Sequence, residues 1–260
     1  MSKDIVVLKL GGASLQDESI LSDIIRTIRD YRKYDYDVVL VHGGGPAINA
    51  ELVRRNIKWE FINGQRKTTN EMMAVIEDVL FGKINSKLVY ELNHAGIPSV
   101  GLSGSHNEML LCKQASLELG QVGSITEVHT EGIFHYLNQA KNYVPVIAPI
   151  GIGEKGELYN INADWAASKI ATALKAQKLI FLTDQTGILD EEKNVIPYAD
   201  QSLLENLLNN GSVSGGMYTK VTTMLEALNR GVSQVRVLHG SQANLGLWSD
   251  YVGTFCGDRA

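Results

Sequence analysis

Two lysines lie within four residues of glycine pairs at the ends of predicted elements, and this placement suits phosphoryl transfer. Lys9 interrupts the apolar run of residues 5–10 just before one pair, where a charge is costly unless it faces a ligand. The alternative is a lysine that reaches solvent from an edge strand. Lys220 ends the stretch SGGMYTK before a predicted helix. Positioned lysines would neutralise a transferring phosphoryl group, which leaves the protein little covalent work.

Asp164 is the last of three short polar side chains in YNINAD, which opens another predicted helix. Capping is the ordinary explanation for such residues at a helix start, but one cap needs only one of Asn160, Asn162 and Asp164. An acid near lysines and phosphates could orient the lysines. If the acceptor is itself a carboxylate, Asp164 is poorly suited to be a general base, and it would organise Lys9 and Lys220 instead.

Four glycine-bearing turns adjoin predicted strands or helices, and each could present backbone N–H groups to an anion. The longest follows the apolar run 38–41 and consists of His42, three glycines and Pro46. Three adjacent glycines remove every Cβ from a strand-to-helix turn, and the helix N-terminus adds its positive dipole end. A tight turn alone usually needs one glycine, so contact with phosphate or substrate is favoured.

Two polar loops supply further candidate ligand groups. In the loop 61–69, Arg66 could clamp a carboxylate in bidentate fashion, although a charged loop is often only solvated. The loop 183–190 contains a glycine and follows a predicted strand, a position that suits a nucleotide. Residues 151–153 spell GxG without the rest of a dinucleotide fingerprint, and GxxxxGK[ST] does not occur in the sequence.

Short apolar runs alternate with amphipathic stretches, and together they must position these residues. Strand–glycine–helix units in the first sixty residues predict a βαβ layout with right-handed crossovers. Segments 110–114 and 121–129 are predicted to form a peripheral hairpin. The remaining predicted strands cover residues 5–10, 38–41, 98–102, 144–149, 178–182 and 234–238, and the predicted helices cover 19–34, 47–55, 70–80, 82–92, 165–174 and 221–230.

The helix predicted at 70–80 is apolar on more than one face, which is more than one core contact requires. A central core helix and a dimer interface explain this pattern equally well.

Composition excludes several classes of protein. A net charge of -5 argues against a nucleic-acid-binding footprint, and no apolar run approaches the length of a membrane span. Two distant cysteines provide neither a disulfide framework nor a metal-binding pair, so we expect a reducing cytoplasm. The six histidines form no HExxH-like cluster, and no metal site is predicted. With 260 residues the chain can form one large domain or two lobes.

Six motifs, in order along nearly the whole chain, resemble those of the amino acid kinase family. Within the family, the NGxRxT-type loop and the chain length are most similar to the N-acetylglutamate kinases. Those enzymes make an acyl phosphate from N-acetyl-L-glutamate and MgATP in arginine biosynthesis. The motifs are KLGG at Lys9–Gly12, HGGGP at His42–Pro46, NGQRKT at 63–68, NINAD at Asn160–Asp164, LTDQTGILD at Leu182–Asp190 and GGMYTK at Gly215–Lys220.

The resemblance implies an α/β fold, a three-layer αβα sandwich with a mainly parallel central sheet. Residues 1–175 would form the lobe for acceptor binding and dimerisation, and residues 176–260 the lobe that binds ATP. The long apolar helix 70–80 would join two chains in a homodimer. Because the chain starts only a few residues before its first strand, the resemblance further implies a dimer without feedback inhibition by arginine.

The resemblance also implies a role for each matching residue. Lys9 and Lys220 would stabilise the transferring phosphoryl group, and Asp164 would hold both lysines. Mg²⁺ is expected with ATP, without an identified protein ligand. The residues that would bind the acceptor are Gly44, Gly45, Arg66 and Asn160. Those that would bind the nucleotide are Gly11, Gly12, Thr183, Asp184, Gly187, Ile188, Leu189, Gly215 and Met217.

One departure from the family pattern concerns the acceptor. Acetylglutamate kinases usually carry lysine, aspartate and glycine after the GLSG turn, and this chain has Ser105, His106 and Asn107. The departure leaves open a kinase for a related carboxylate, such as an aminoadipate derivative. A non-catalytic nucleotide or amino-acid sensor is the other alternative. The presence of Lys9, Asp164 and Lys220 argues against a sensor, because binding alone does not require all three.

Overall fold

The computed structural model describes residues 3–12, 15, 17–62, 64–244 and 252–257. Asn63, the first residue of the NGQRKT motif, lies outside them. The chain forms two compact units. Unit 1 consists of Met1–Val38 and Ala167–Ala260, and unit 2 of Val39–Ala166. The division of ligand binding between lobes 1–175 and 176–260 stays a prediction.

The described residues form strands and helices that alternate along most of the chain. The strands are β1 (Asp4–Leu10), β2 (Tyr36–His42), β3 (Phe61–Ile62), β4 (Gln65–Arg66), β5 (Ser99–Ser103), β6 (Leu110–Gln114), β7 (Gly123–Val128), β8 (Val144–Ala148), β9 (Ile150–Ile152), β10 (Leu158–Asn160), β11 (Lys178–Thr183), β12 (Gln234–His239) and β13 (Thr254–Gly257). The α-helices are α1 (Glu18–Lys33), α2 (Gly45–Arg54), α3 (Asn70–Glu77), α4 (Ser86–His94), α5 (Glu131–Leu137), α6 (Ala163–Ala173), α7 (Gln201–Asn209) and α8 (Gly215–Asn229).

Unit 1 contains the strand order β13-β12-β11-β1, in which only β13 is antiparallel to its neighbour. Val6, Val7, Leu8 and Leu10 of β1 are aliphatic and fully buried, as expected for a strand covered on both faces. Asp17 caps the N-terminus of α1, because its carboxylate accepts hydrogen bonds from the Ser19 and Ile20 backbone N–H groups. The predicted buried face of α1 is confirmed, and its residues are Ile20, Ile24, Ile28 and Tyr31.

Unit 2 contains the parallel order β2-β8-β5 and a second sheet of order β10-β9-β6-β7. The predicted hairpin is confirmed, because β6 and β7 pair antiparallel, with an irregularity between Leu111 and Cys112. The α/β class with a mainly parallel sheet is thereby confirmed as well. No helix in the described part of the chain combines the length and apolar character that crossing a membrane requires.

The segment from residue 70 to residue 94 is helical throughout, so the break predicted near Phe81 is wrong. Helices α3 and α4 are joined by a π-helix, Asp78–Asn85. Gly82 lies inside this π-helix, and the glycine does not end the helix. The apolar side chains of 70–80 are buried in the core of the chain itself, which accounts for their pattern without a partner. They are Met72, Met73, Val75, Ile76, Val79 and Leu80.

The predicted strands and helices do not include α5, α7, β3, β4, β9, β10 and β13. These elements contain between two and nine residues each, which is too few for a clear periodic pattern. Helix α8 begins at Gly215, six residues earlier than predicted, because two glycines with low helix propensity form its first turn. The first turn of α8 therefore contains Gly215 and Met217, two of the residues predicted to bind the nucleotide.

Candidate active site

Lys9 lies near the carboxyl end of β1, paired in register with Phe181 of β11. The side chain is only 7% exposed, so the alternative of a lysine that reaches solvent is wrong. The Gly11 N–H donates a hydrogen bond of 2.8 Å to the Leu182 carbonyl. This bond continues the pairing of the two strands into the glycine turn, and it fixes the backbone that follows Lys9.

A cavity of about 380 Å³ lies in unit 1, between the loop that follows β11 and the start of α8. Four residues predicted to bind the nucleotide line this cavity together with Lys220. Five further lining residues are not among the predicted site residues: Gln185, Ser212, Val213, Ser214 and Gly216. The full lining is Thr183, Asp184, Gln185, Leu189, Ser212, Val213, Ser214, Gly216, Met217 and Lys220.

The cavity combines groups of opposite charge. Lys220 and the N-terminus of α8 favour an anion. The Asp184 carboxylate accepts a hydrogen bond of 2.9 Å from the Thr183 hydroxyl, and acceptor oxygens of this kind suit the hydroxyl or amino groups of a nucleoside. A nucleotide, which has one neutral and one anionic end, matches both parts.

Gly187 and Ile188 shape the loop after β11 and are not among the residues that line the cavity. The Ile188 N–H donates to the Thr254 hydroxyl at 2.8 Å, and the Ile188 side chain is fully buried. A Cβ on Gly187 would stand 2.8 Å from Val195 Cγ1 and 2.9 Å from Thr254 Oγ1. These two residues are therefore placed to fix the loop that carries Asp184.

Arg66 lies in unit 2 with its side chain 7% exposed. Its Nη2 donates a hydrogen bond of 2.5 Å to Asn49 Oδ1 of α2. The guanidinium carbon stands 4.8 Å from the centre of the Phe61 ring and 5.8 Å from that of Trp59, distances at which cations are attracted to aromatic rings. Burial lowers the pKa of Arg66 from its ordinary value, and a guanidinium nevertheless stays charged.

One nitrogen of Arg66, Nη1, is buried and has no hydrogen-bond partner among the described residues. A buried donor without a partner is costly. A carboxylate that binds next to Nη1 would satisfy this donor and the charge together. The sequence predicted Arg66 but not the residues that hold it, since Asn49 and Trp59 belong to no motif that we identified.

A chain of hydrogen bonds brings Asn160 next to the Arg66 loop. Asn160 Nδ2 donates to the Thr68 hydroxyl at 3.1 Å, and this hydroxyl donates to the Arg66 carbonyl at 2.8 Å. The Gln121 N–H donates to the Thr68 carbonyl at 2.7 Å. Thr68 thus joins Arg66 and Asn160, which are both predicted to bind the acceptor substrate. The prediction omits Thr68, although it is the last residue of NGQRKT.

The glycine turn after β2 uses its glycines for different reasons. Gly44 precedes the first residue of α2, and a Cβ there would stand 2.5 Å from Leu80 Cδ2 and 2.7 Å from Ile84 Cδ1. A Cβ on Gly45 would meet nothing within 4 Å. Close packing therefore requires glycine at Gly44, whereas the space beside Gly45 is open to a ligand.

Asp164 is the second residue of α6 and is 5% exposed. Asn162 caps this helix, because its Oδ1 accepts hydrogen bonds from the Asp164 N–H at 2.8 Å and the Trp165 N–H at 3.3 Å. Capping therefore explains Asn162 and not Asp164. Burial of a carboxylate requires charged or hydrogen-bonding neighbours, and the organising role of Asp164 stays a prediction.

The departure from the family pattern lies at a separate cavity. His106 Nδ1 accepts a hydrogen bond of 3.3 Å from the Ser103 N–H, and its ring meets Phe81 edge-on at 4.8 Å. His106 and Asn107 line a cavity of about 520 Å³ in unit 2, together with residues of 101–109 and 129–136. None of the predicted acceptor residues lines this cavity.

Comparison with known proteins agrees with the motifs. An acetylglutamate kinase of Aquifex aeolicus is 40% identical over 253 residues, which cover 91% of this chain and 84% of that enzyme. One of Ruegeria pomeroyi is 39% identical over 240 residues, 92% of this chain and 83% of that enzyme. The crystal structure of smu.665 from Streptococcus mutans has a TM-score of 0.87 at 27% identity and covers 98% of both chains.

A family model agrees with these relatives. The model described as "Amino acid kinase family" matches residues 4–239, which include all six motifs and every predicted site residue. This chain belongs to the amino acid kinase family.

Proposed function

We propose that this chain transfers the terminal phosphoryl group of ATP to the side-chain carboxylate of N-acetyl-L-glutamate. The product would be N-acetyl-L-glutamyl 5-phosphate, an intermediate of arginine biosynthesis. The observation that carries the proposal is the Arg66 guanidinium, which is buried and keeps one nitrogen without a hydrogen-bond partner among the described residues. A carboxylate is the ligand that such a group fits best. The names of the two bacterial relatives support the same acceptor.

The acceptor is proposed to bind in unit 2. Arg66 and Asn160 would bind its carboxylates, and the hydrogen bonds through Thr68 hold these two residues in a fixed relation. Gly44 and Gly45 would donate backbone N–H groups. The open space beside Gly45 supports this role, because a ligand can approach the backbone there.

The nucleotide is proposed to bind in unit 1, in the cavity that Thr183, Asp184 and Lys220 line. An oxygen of the acceptor carboxylate forms a bond to the terminal phosphorus. The bond from this phosphorus to the bridging oxygen breaks, and ADP leaves with the electron pair. Lys9 and Lys220 would stabilise the charge on the phosphoryl oxygens. No proton has to leave the acceptor, so Asp164 keeps the organising role that the resemblance implies.

Mg²⁺ is proposed to arrive with ATP. No cluster of three or more His, Cys, Asp or Glu side chains within the described ranges could hold a metal ion. The phosphate oxygens and water usually provide most of the ligands of Mg²⁺ in such sites. When bound, the ion would neutralise part of the phosphate charge.

Two further proposals concern the assembly and the location of the protein. A homodimer through helix 70–80 rests on the resemblance, because the apolar side chains of this segment are already buried within one chain. Light scattering would test it, with twice the mass of the chain expected and a single-chain mass contradicting it.

A cytoplasmic location suits Cys112 and Cys256, two free buried thiols whose pKa is raised to about 12 by burial.

The test of the proposed function is ADP release from MgATP with one acceptor at a time. N-acetyl-L-glutamate, L-glutamate, an N-acetylated aminoadipate, carbamate and UMP would be compared. We expect turnover with N-acetyl-L-glutamate only. Turnover with the aminoadipate derivative instead would keep the chemistry and overturn the acceptor. ATP binding without turnover on any acceptor would favour the sensor.

A further inference from the structure

The π-helix Asp78–Asn85 lies against the glycine turn that follows β2. A π-helix is rare, and it is frequently found at functional sites. Its wider turn moves side chains to positions that an α-helix cannot offer. Leu80 and Ile84 of this segment reach the space where a Cβ of Gly44 would stand. They support the turn from one side and prevent it from moving toward the helix.

Asn85, the last residue of the π-helix, is buried and donates two hydrogen bonds. Its Nδ2 lies 2.8 Å from the Val146 carbonyl of β8 and 3.1 Å from His42 Nε2. A carbonyl oxygen can only accept, so the amide nitrogen must face Val146. The same nitrogen can only donate to His42, whose Nε2 is therefore the unprotonated nitrogen of the ring. Gly101 leaves the space for this arrangement, because a Cβ there would collide with Asn85 Oδ1.

His42 in turn fixes the orientation of the first peptide group of the glycine turn. Its Nδ1 carries the ring proton and donates to the Gly43 carbonyl at 3.0 Å. The described residues contain no cis peptide bond, and the C=O and N–H of a trans peptide point in opposite directions. Holding the Gly43 carbonyl at His42 therefore turns the N–H of Gly44 to the opposite side, away from the buried ring.

We propose that His42 and Asn85 are positioning residues that hold the Gly44 N–H toward the bound acceptor. The proposal rests on the proposed function for the identity of the acceptor. The π-helix places Asn85, Asn85 fixes the tautomer of His42, and His42 fixes the peptide plane of the turn. Neither side chain touches the substrate.

Two substitutions of His42 separate positioning from simple packing. His42→Asn places an amide near the former Nδ1 and keeps a donor for the Gly43 carbonyl. His42→Gln places its amide near the former Nε2 and keeps a partner for Asn85 instead. We expect His42→Asn to keep the higher kcat/KM for N-acetyl-L-glutamate. The reverse order, with His42→Gln the more active, would show a merely structural role and overturn the proposal.

A substitution of Asn85 tests the same chain of contacts from its other end. Asn85→Asp keeps the size of the side chain but removes both donors. We expect kcat/KM for N-acetyl-L-glutamate to fall about tenfold or more, since small misplacements of binding groups cost rate heavily. The KM for ATP should change less than about twofold, because the residues of the nucleotide cavity are not involved. An equal loss for both substrates would contradict positioning of the acceptor alone.

Asn93 in α4 provides a matched control. Its side chain bridges Val89 and Ser99 with hydrogen bonds of 2.8–3.1 Å and does not contact the glycine turn. Asn93→Asp should lower the melting temperature and leave kcat/KM unchanged. Variants would be compared below their melting temperatures, so that loss of fold is not mistaken for loss of positioning.

The tautomer of His42 is a readout that needs no acceptor. Long-range ¹⁵N NMR of the wild-type protein should show a neutral ring with the proton on Nδ1. A proton on Nε2 would overturn the proposal, whatever the activity. If N-acetyl-L-glutamate is not a substrate, the proposed function fails by itself, and the kinetic comparison is made with the acceptor that is turned over. If no acceptor is turned over, the NMR measurement of the His42 tautomer decides whether the positioning proposal holds.

Discussion

Three neighbours hold the guanidinium of Arg66. Asn49 accepts a hydrogen bond from one guanidinium nitrogen, and the rings of Trp59 and Phe61 lie beside the guanidinium. The sequence predicted the arginine because its charge suits a carboxylate. It could not predict Asn49 or Trp59, because they reach Arg66 only through the packing of α2 and the following loop.

Replacement of Arg66 by lysine should weaken acceptor binding. Lysine keeps the charge and loses the planar, two-nitrogen donor. A charge-assisted hydrogen bond contributes about 1.5–3 kcal/mol, so KM for N-acetyl-L-glutamate should rise about tenfold to a hundredfold. Steady-state kinetics would measure this, with Lys67→Ala in the same loop as the control, since Lys67 forms an exposed ion pair with Glu60. An unchanged KM in Arg66→Lys would contradict the role given to Arg66.

Replacement of Lys220 by alanine should affect the rate. If Lys220 stabilises the transferring phosphoryl group, kcat should fall by a factor on the order of hundreds or more. The exposed Lys33→Ala variant should behave as wild type. A kcat of Lys220→Ala within about threefold of wild type would show that the assignment is wrong.

The buried His42 should make stability depend on pH. Burial lowers its pKa from 6.5 to about 4, so the unfolded chain binds the proton more readily than the folded one. Stability is then fully present above pH 6.5 and falls as pH drops toward 4, by about 3 kcal/mol in total. Denaturant titrations between pH 7 and pH 4 should show this loss in the wild type and in exposed His94→Asn. The loss should be smaller in His42→Asn, and an equal loss there would contradict the assignment.

The strands that are buried on both faces were predictable from the sequence. Strands such as β1 and β11 are covered on both faces, so their sequences are mostly apolar runs, which in β1 only Lys9 interrupts. The π-helix was not predictable, because Gly82 resembles a helix end and the extra residue per turn has no local signal. The early start of α8 was missed for a related reason, because glycines form its first turn.

Two neighbouring glycines of the turn after β2 should respond differently to alanine. Gly44→Ala forces a Cβ against Leu80 and Ile84 and should cost about 1–3 kcal/mol of stability. Gly45→Ala meets nothing and lies in the first turn of α2, so stability should hold or rise slightly. Its acceptor KM should nevertheless increase, because the methyl group occupies the proposed ligand space. Thermal melts and kinetics would measure both, and a Gly45→Ala variant with unchanged KM would contradict that space as a binding site.

At the scale of the whole molecule, the motifs run from Lys9 to Lys220, and the family model covers the same region. The amino acid kinase fold could therefore be anticipated from the sequence, whereas the residues proposed to bind the nucleotide and the acceptor stay predictions from the motifs. The place of residues 105–107, where the chain departs from the family pattern, could not be predicted. Only the folded chain shows that they border a cavity, and that the residues predicted to bind the acceptor substrate do not line it.

The most direct test of the central proposal is to trap the product of the reaction. The protein would be incubated with MgATP and N-acetyl-L-glutamate as the only acceptor, in the presence of hydroxylamine. An acyl phosphate reacts with hydroxylamine to a hydroxamate, so we expect one hydroxamate for each ADP released. ADP release without hydroxamate, or no release at all, would contradict transfer to the side-chain carboxylate.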